Sequence, residues 1–267
     1  IKYIKMKIVI DGNIGCGKTT QLKILENIGF NVRYEPIEEW PLDLFYSDME
    51  RWGFLFQIVV LQTLKIDNVH ENTVYERCPL SSKEIFWKAM KKTDTEDIVY
   101  NRQYDIQGWG PDLYILIDKN PDVCMKHINE REQSGDSGVT LEYLKLLDEN
   151  YKTMFNNIEC PKYKIDGNQP IIKVTQNILG RLVQHGCILD YEADEKLVLN
   201  TLESCENILG KIDYDIENEF NESEIIEKFS DELKEDYIVK YHPECKILNS
   251  VEIENLTKII RDSNNKI

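Results

Sequence analysis

Short apolar runs with helical stretches between them recur through the first 186 residues: Lys7 to Ile10, Val32 to Tyr34, Thr73 to Tyr75, Leu113 to Ile117 and Tyr163 to Ile165. Strands alternating with helices call for parallel βαβ units, so the pattern predicts an α/β domain with a five-stranded parallel sheet flanked by helices. Four of the runs end at a charged or glycine-bearing position: Asp11-Gly12, Glu35, Glu76-Arg77 and Asp118. Ligands in open α/β sheets sit beyond the carboxyl ends of the strands, which makes these polar residues the expected edge of a site. Beyond Gly186 the pattern reads as helices only, roughly Glu192 to Leu209, Glu224 to Asp236 and Val251 to Arg261, with Ser223 and Ser250 as N-caps of the last two. The chain is expected to divide into a sheet domain, residues 1–186, and a mainly helical extension, residues 187–267.

Charge sharpens that boundary. Residues 186–267 carry 21 Asp and Glu against 9 Lys and Arg, whereas residues 1–185 carry 27 against 23. The extension is strongly acidic, and the whole chain, at net −16, would meet nucleic-acid phosphates through a repulsive field. No nucleic-acid partner is expected. Nor is a membrane: the longest apolar run, Phe54 to Leu64, is interrupted by Gln57 and Gln62 and falls far short of the roughly 20 residues of a bilayer span. No secretory leader is read ahead of the first strand, and the seven cysteines, odd in number and irregularly spaced, fit reduced thiols. A soluble, cytoplasmic protein is the expectation. His185, Cys187, Cys205, His242 and Cys245 would make only an irregular zinc set, so the extension reads more simply as a helical cap or a subunit contact.

The first strand runs into Gly12-Asn13-Ile14-Gly15-Cys16-Gly17-Lys18-Thr19, which fits G-x-x-x-x-G-K-[ST] at every fixed position, and a helical stretch from Thr20 to Asn27 comes next. Glycines at those positions let successive backbone N–H groups face phosphates, and the helix N-terminus adds positive potential. Lys18 would reach the outer phosphates and Thr19 would take Mg²⁺. A nucleoside triphosphate, ATP with Mg²⁺, is the implied ligand of Gly12 through Thr20. A signalling GTPase would also need a base-reading Asn-Lys-x-Asp, and the sequence has none.

Further along the chain stand Glu35-Pro36-Ile37-Glu38-Glu39-Trp40, then Phe56-Gln57 in a helical stretch, then Glu76-Arg77-Cys78 after the third strand. In this order the motifs resemble those of the deoxynucleoside kinase family, G-N-I-G-S-G-K-[ST], E-P-[VI]-x-x-W, a helical F-Q and E-R-S, from about Lys7 to Gly186. The resemblance implies a P-loop kinase fold and ATP-dependent phosphorylation of a deoxynucleoside 5′-hydroxyl, with a homodimer as the expected assembly. Position by position, it makes Glu35 the general base, Arg77 the holder of the 5′-oxygen and phosphoryl region, and Glu76 the second Mg²⁺ ligand beside Thr19. It makes Gln57 the reader of the base edge. Trp40, Phe56 and Phe86 become aromatic walls, although aromatics at this spacing are more often plain core. Tyr46 is the contact to the sugar 3′-hydroxyl, and Asp166 and Asn168, in the turn after the fifth strand, would touch adenine.

The lid departs from the family pattern. In His127-Ile128-Asn129-Glu130-Arg131-Glu132-Gln133-Ser134-Gly135-Asp136, ahead of Val139-Thr140-Leu141-Glu142-Tyr143-Leu144, Arg131 matches the first lid arginine, Gln133 stands where the second belongs, and Asp136 matches the carboxylate that reaches the 3′-hydroxyl. Cys78 and Cys16 replace family serines and are read as small packing residues. At the two positions where cytidine- and guanosine-reading members hold an Arg and an Asp, this chain has the uncharged Leu64 and Ser82. Val60 and Leu64 would then make an apolar wall suited to thymine's methyl group. A thymidylate-kinase-like enzyme and a catalytically weakened nucleotide-binding scaffold are the competing readings.

Overall fold

All five predicted strands form, as β1 (Lys7–Gly12), β2 (Asn31–Arg33), β3 (Thr73–Glu76), β4 (Leu113–Asp118) and β5 (Lys162–Asp166). They make one parallel sheet in the order β2-β3-β1-β4-β5. The computed structural model describes residues 6–27, 29–66, 72–131 and 138–187, all within the first of two units, Ile1–Gly210 and Lys211–Ile267. The helices expected beyond residue 187, with Ser223 and Ser250, lie outside the described residues, as do Cys205, His242 and Cys245. Between the strands run α1 (Lys18–Asn27), α2 (Leu42–Ser47), α3 (Met49–Thr63), α4 (Pro79–Ser81), α5 (Asp94–Gln107), α6 (Pro121–Arg131) and α7 (Leu141–Asn157), and α8 (Ile171–Gln184) follows the last. Among the described residues, no helix is long and apolar enough to cross a membrane.

A strand sends successive side chains to opposite faces, and both faces of this sheet are covered. Ile8 and Ile10 of β1 with Leu113, Ile115 and Ile117 of β4 pack against Leu22 and Leu25 of α1 and Val174, Ile178 and Leu182 of α8. Val9, Tyr114 and Leu116 point the other way, onto Leu61 of α3, Tyr100 of α5 and Leu147 and Tyr151 of α7. Each fully buried aliphatic side chain contributes about 1.5–3 kcal/mol against the unfolded chain, which is why the strands are so strongly apolar. Helix starts are locally specified: Thr93 and Glu96 form a capping box for α5, and Thr140 accepts from the Tyr143 N–H at the start of α7.

The sheet order sets β1 in the centre, so the carboxyl ends of β1 and β3 adjoin and the loop after β1 opens over them. That loop is tightly held. Gly12 has φ +148°, and a Cβ there would stand 2.5 Å from the Ile117 carbonyl oxygen; Gly15 has φ +77°, and its Cβ would stand 2.6 Å from the Cys124 carbonyl oxygen. Gly15 is bare because α6 crosses it, with His127 Nδ1 donating to the Gly15 carbonyl at 3.1 Å. Gly12→Ala is expected to destabilise the protein by about 1–3 kcal/mol, since β1 and β4 must part to admit the methyl group. Calorimetry reads this directly, and an unchanged melting temperature would contradict the geometry.

Candidate active site

A cleft opens above the ends of β1 and β3, with about 810 Å³ of space in it, part of it open to solvent. Lys18, Thr19, Glu35, Glu76, Arg77 and Arg131 line it. So do Trp40, Tyr46, Phe56, Gln57, Val60, Leu64, Ser82 and Phe86. The structure thus brings together the candidate catalytic and metal-binding residues and every described candidate for substrate binding. Of the phosphate loop, Ile14 and Gly15 also face the cleft; Gly12, Asn13, Cys16, Gly17 and Thr20 do not line it. Asp166 and Asn168 do not either: Asn168 donates to Asp166 Oδ1 through its backbone N–H at 2.9 Å and its side-chain amide at 2.8 Å, and its own oxygen accepts from the Asn120 N–H at 3.1 Å. Asp136 and Gln133 lie outside the described residues.

Arg77 organises the catalytic end. Its φ of +62° is left-handed, uncommon for a residue with a long side chain and a mark of functional positions. While its N–H continues the sheet by donating to the Ile10 carbonyl at 3.1 Å, the left-handed turn carries the side chain across the end of β1. Nη1 donates to Glu35 Oε1 at 2.8 Å and Oε2 at 2.7 Å, Nη2 donates to the Gly12 carbonyl at 3.0 Å, and Phe86 lies under the guanidinium at 4.8 Å. Glu35 sits two residues past β2, buried, just before the short 3-10 turn Ile37–Glu39. Burial pushes its carboxyl above the usual range and Glu76 adds to the rise, while Arg77 and Lys18 pull against it. A carboxylate so placed is a stronger proton acceptor than one in water.

The helix of the phosphate loop begins at Lys18, two residues earlier than the pattern predicts. The Lys18 ammonium donates to the carbonyls of Gly12 at 3.2 Å and Asn13 at 3.0 Å. Thr19 Oγ1 donates to Glu76 Oε1 at 2.8 Å. A hydroxyl and a carboxylate side by side at the helix start are hard oxygen donors of the kind Mg²⁺ takes, and two protein ligands suffice where phosphate and water oxygens complete the octahedron. These residues fit that ion. Among the described residues, no group of three or more His, Cys, Asp or Glu is placed to hold a metal; His185, one member of the irregular zinc set, instead pairs through Nε2 with the Tyr163 hydroxyl at 2.9 Å.

At the base end, the Ser82 hydroxyl donates to Gln57 Oε1 at 2.9 Å and lies 2.9 Å from the Tyr100 hydroxyl. With the serine proton committed to Gln57, Tyr100 must donate to serine. Ser82 and Phe86 belong to a π-helical turn, Ser82–Trp87, a rare form concentrated at functional sites. Trp40 is fixed by its Nε1 donating to Thr63 at 2.9 Å and meets Phe56 edge-on at 6.0 Å. Phe56 itself stacks on Phe45 at 4.2 Å, so it is both wall and core. Cys78 and Cys124 are buried and their thiols are pushed up to about 12 by burial; they pack rather than react.

Sequence reasoning missed Ile37, Leu42, Phe45 and Tyr143 as lining residues. Two of them had a signal: Ile37 stands in the Glu35-to-Trp40 motif, and Tyr143 in the stretch Val139 to Leu144 that follows the lid. The Tyr143 hydroxyl is buried and makes no hydrogen bond among the described residues. Leu42 and Phe45 look like ordinary core in the linear pattern.

Comparison with known proteins agrees with this geometry. A family model described as deoxynucleoside kinase matches residues 8–186. A protein named as a kinase, 143R of Invertebrate iridescent virus 6, is 31% identical over 178 residues, covering 62% of this chain and 91% of its own length. A protein named as a deoxycytidine kinase, FPV151 of Fowlpox virus (strain NVSL), is 30% identical over 186 residues, covering 63% of this chain and 77% of its own. Among solved structures, deoxyadenosine kinase from M. mycoides with bound dCTP superposes with a TM-score of 0.58 at 23% identity, over 67% of this chain and 99% of the other, which shows the fold.

Proposed function

This chain belongs to the deoxynucleoside kinase family, and we propose that it transfers the γ-phosphoryl group of ATP to the 5′-hydroxyl of a pyrimidine deoxynucleoside, with thymidine the preferred acceptor. The observation that carries this reading is the joining of Glu35 to Arg77 at 2.7 Å in one cleft with Lys18 and the amide of Gln57. Together they supply the proton acceptor, phosphoryl cations and base reader that a nucleoside acceptor needs. Glu35 accepts the 5′-hydroxyl proton as that oxygen attacks, and Arg77 holds the attacking oxygen and the phosphoryl region. Lys18, the loop N–H groups and Arg131 at the end of α6 meet the negative charge of the transferring group. Thr19 and Glu76 would hold Mg²⁺, which when bound draws charge from the phosphate oxygens. Tyr46, together with Asp136, orients the sugar through its 3′-hydroxyl, and Asp166 and Asn168 contact adenine when ATP is bound. The division at residues 186 and 187 is part of the proposal, supported by the end of the family match at 186. So is a homodimer, which light scattering tests.

The base preference rests on charge. Leu64 and Ser82 leave the pocket without the buried ion pair that would read a cytosine amino group or a purine edge, and a buried charge without its partner is costly. Gln57, held by Ser82, remains the main polar reader, with Val60 and Leu64 beside it for a methyl group. A screen of the four deoxynucleosides with ATP and Mg²⁺ is expected to place thymidine first, deoxycytidine second and purines last. A kcat/KM ratio of thymidine over deoxyguanosine below one refutes the assignment. Leu64→Arg with Ser82→Asp should lower that ratio, and either change alone should damage activity by stranding a charge. Turnover of thymidine monophosphate in preference to thymidine would point instead to a monophosphate kinase, and ATP hydrolysis indifferent to nucleoside to a scaffold.

A further inference from the structure

Behind the Glu35–Arg77 pair lies a buried carboxylate that the reaction as proposed does not use. Asp11, the last residue before Gly12, is fully buried. Its Oδ1 accepts from the Gly12 N–H at 2.8 Å and the Tyr151 hydroxyl at 2.7 Å, and its Oδ2 accepts from the Tyr114 hydroxyl at 2.9 Å and from Ser81. A carboxylate stripped of water is tolerated only when its lone pairs are filled and a cation balances it. The cation is Arg77, whose Nε stands 3.4 Å from Oδ1. The same Nε donates to the Tyr151 hydroxyl at 3.2 Å, so Tyr151 accepts from the arginine and passes its own proton to Asp11.

The guanidinium is thereby held on three sides: Nη1 by Glu35, Nη2 by the Gly12 carbonyl, and Nε by Tyr151 and Asp11. Only the first of these contacts changes during turnover. When Glu35 takes up a proton it ceases to balance Arg77, whereas Asp11 is fully buried beside the guanidinium. We propose that Asp11 and Tyr151 are positioning residues that fix the Nε edge of Arg77, hold its left-handed conformation, and keep the guanidinium in place while Glu35 cycles between its two protonation states. This rests on the role assigned to Arg77 above. Neither Asp11 nor Tyr151 lines the cleft, so their effect on rate passes through Arg77.

The test is a double-mutant cycle in the full-length protein. Tyr151→Phe keeps the ring and removes one hydroxyl that serves two partners. It is expected to lower kcat for thymidine phosphorylation about ten-fold, the effect of losing a hydrogen bond to a charged group, with KM for ATP within about two-fold of the parent. In an Arg77→Lys background the same substitution should produce no further fall in kcat, because a lysine has no Nε edge to be held. A merely structural role would lower kcat equally in both backgrounds, and that additive result overturns the proposal, as does an unchanged kcat in Tyr151→Phe. Should Tyr151→Phe fail to fold by circular dichroism, Asp11→Asn, which keeps the shape and removes the charge, is put through the same cycle with the same expected non-additivity. Full activity in Arg77→Lys alone would refute the role of Arg77 and overturn both this inference and that part of the proposed function, whereas an additive cycle overturns this inference alone.

Discussion

Lys18→Met is expected to abolish phosphoryl transfer in a chain that still folds. The ammonium sits at the first turn of α1, where it donates to the carbonyls of Gly12 at 3.2 Å and Asn13 at 3.0 Å, at the mouth of the same cleft as Glu35 and Arg77. Methionine keeps an apolar stem of similar length and removes only the charge. The Gly12 carbonyl stays satisfied, because Arg77 Nη2 donates to it at 3.0 Å, so the cost to stability should be modest. The cost to the reaction should not be. Removing one preorganised donor from a water-excluded site slows chemistry by about 10²–10³-fold, and a full cation directed at the transferring group stands at or beyond the upper end. Single-turnover transfer from labelled ATP, with far-ultraviolet circular dichroism as the fold control, measures both halves. Activity within ten-fold of the parent would remove the phosphate-loop assignment.

The second large effect is at Glu35. Glu35→Gln preserves size and leaves an oxygen to accept from Arg77, yet it takes away the proton acceptor, and kcat should fall by about 10² or more while ATP binding is retained. Burial holds this carboxyl above its ordinary value, so its working, ionised form is reached only at a higher pH than for a solvated glutamate. The activity of the parent therefore falls as pH drops through that raised value, because the protonated acid cannot accept the 5′-hydroxyl proton. Residual activity of Glu35→Gln should lack that acid-side decline. If the decline persists unchanged in the variant, some other group is titrating and Glu35 is not the base.

How far the sequence carried is clear from particular residues. The strands were legible because apolar runs of five residues or fewer, repeated between helical stretches, have few alternatives, and each of the five forms. The phosphate loop was legible for a different reason. Its chemistry is backbone chemistry, and glycines at fixed spacing betray it. Gln57 and Trp40 were found through the family's motif order and would have passed for helix and turn residues without it. The exposed turn at Asp166 and Asn168 shows the reverse: a motif match places residues near a site without showing that they enter the cleft.

The linear pattern established what local spacing can encode: strand periodicity, the glycine loop with Lys18 and Thr19, the carboxylates at strand ends, and the acidic change of character after residue 186. It could not place Tyr151, which lies 74 positions from Arg77 and 140 from Asp11. Nor could it pair Tyr114 with Asp11 across 103 positions, or lead Tyr100 through Ser82 to Gln57. Those partners meet because the order β2-β3-β1-β4-β5 sets β1 between β3 and β4 and lays α7 against that face of the sheet. Buried polar groups then take whatever donors the packing brings, because an unfilled hydrogen bond in the interior costs about 1–3 kcal/mol. That demand acts between neighbours in space, and it leaves no regular spacing along the chain.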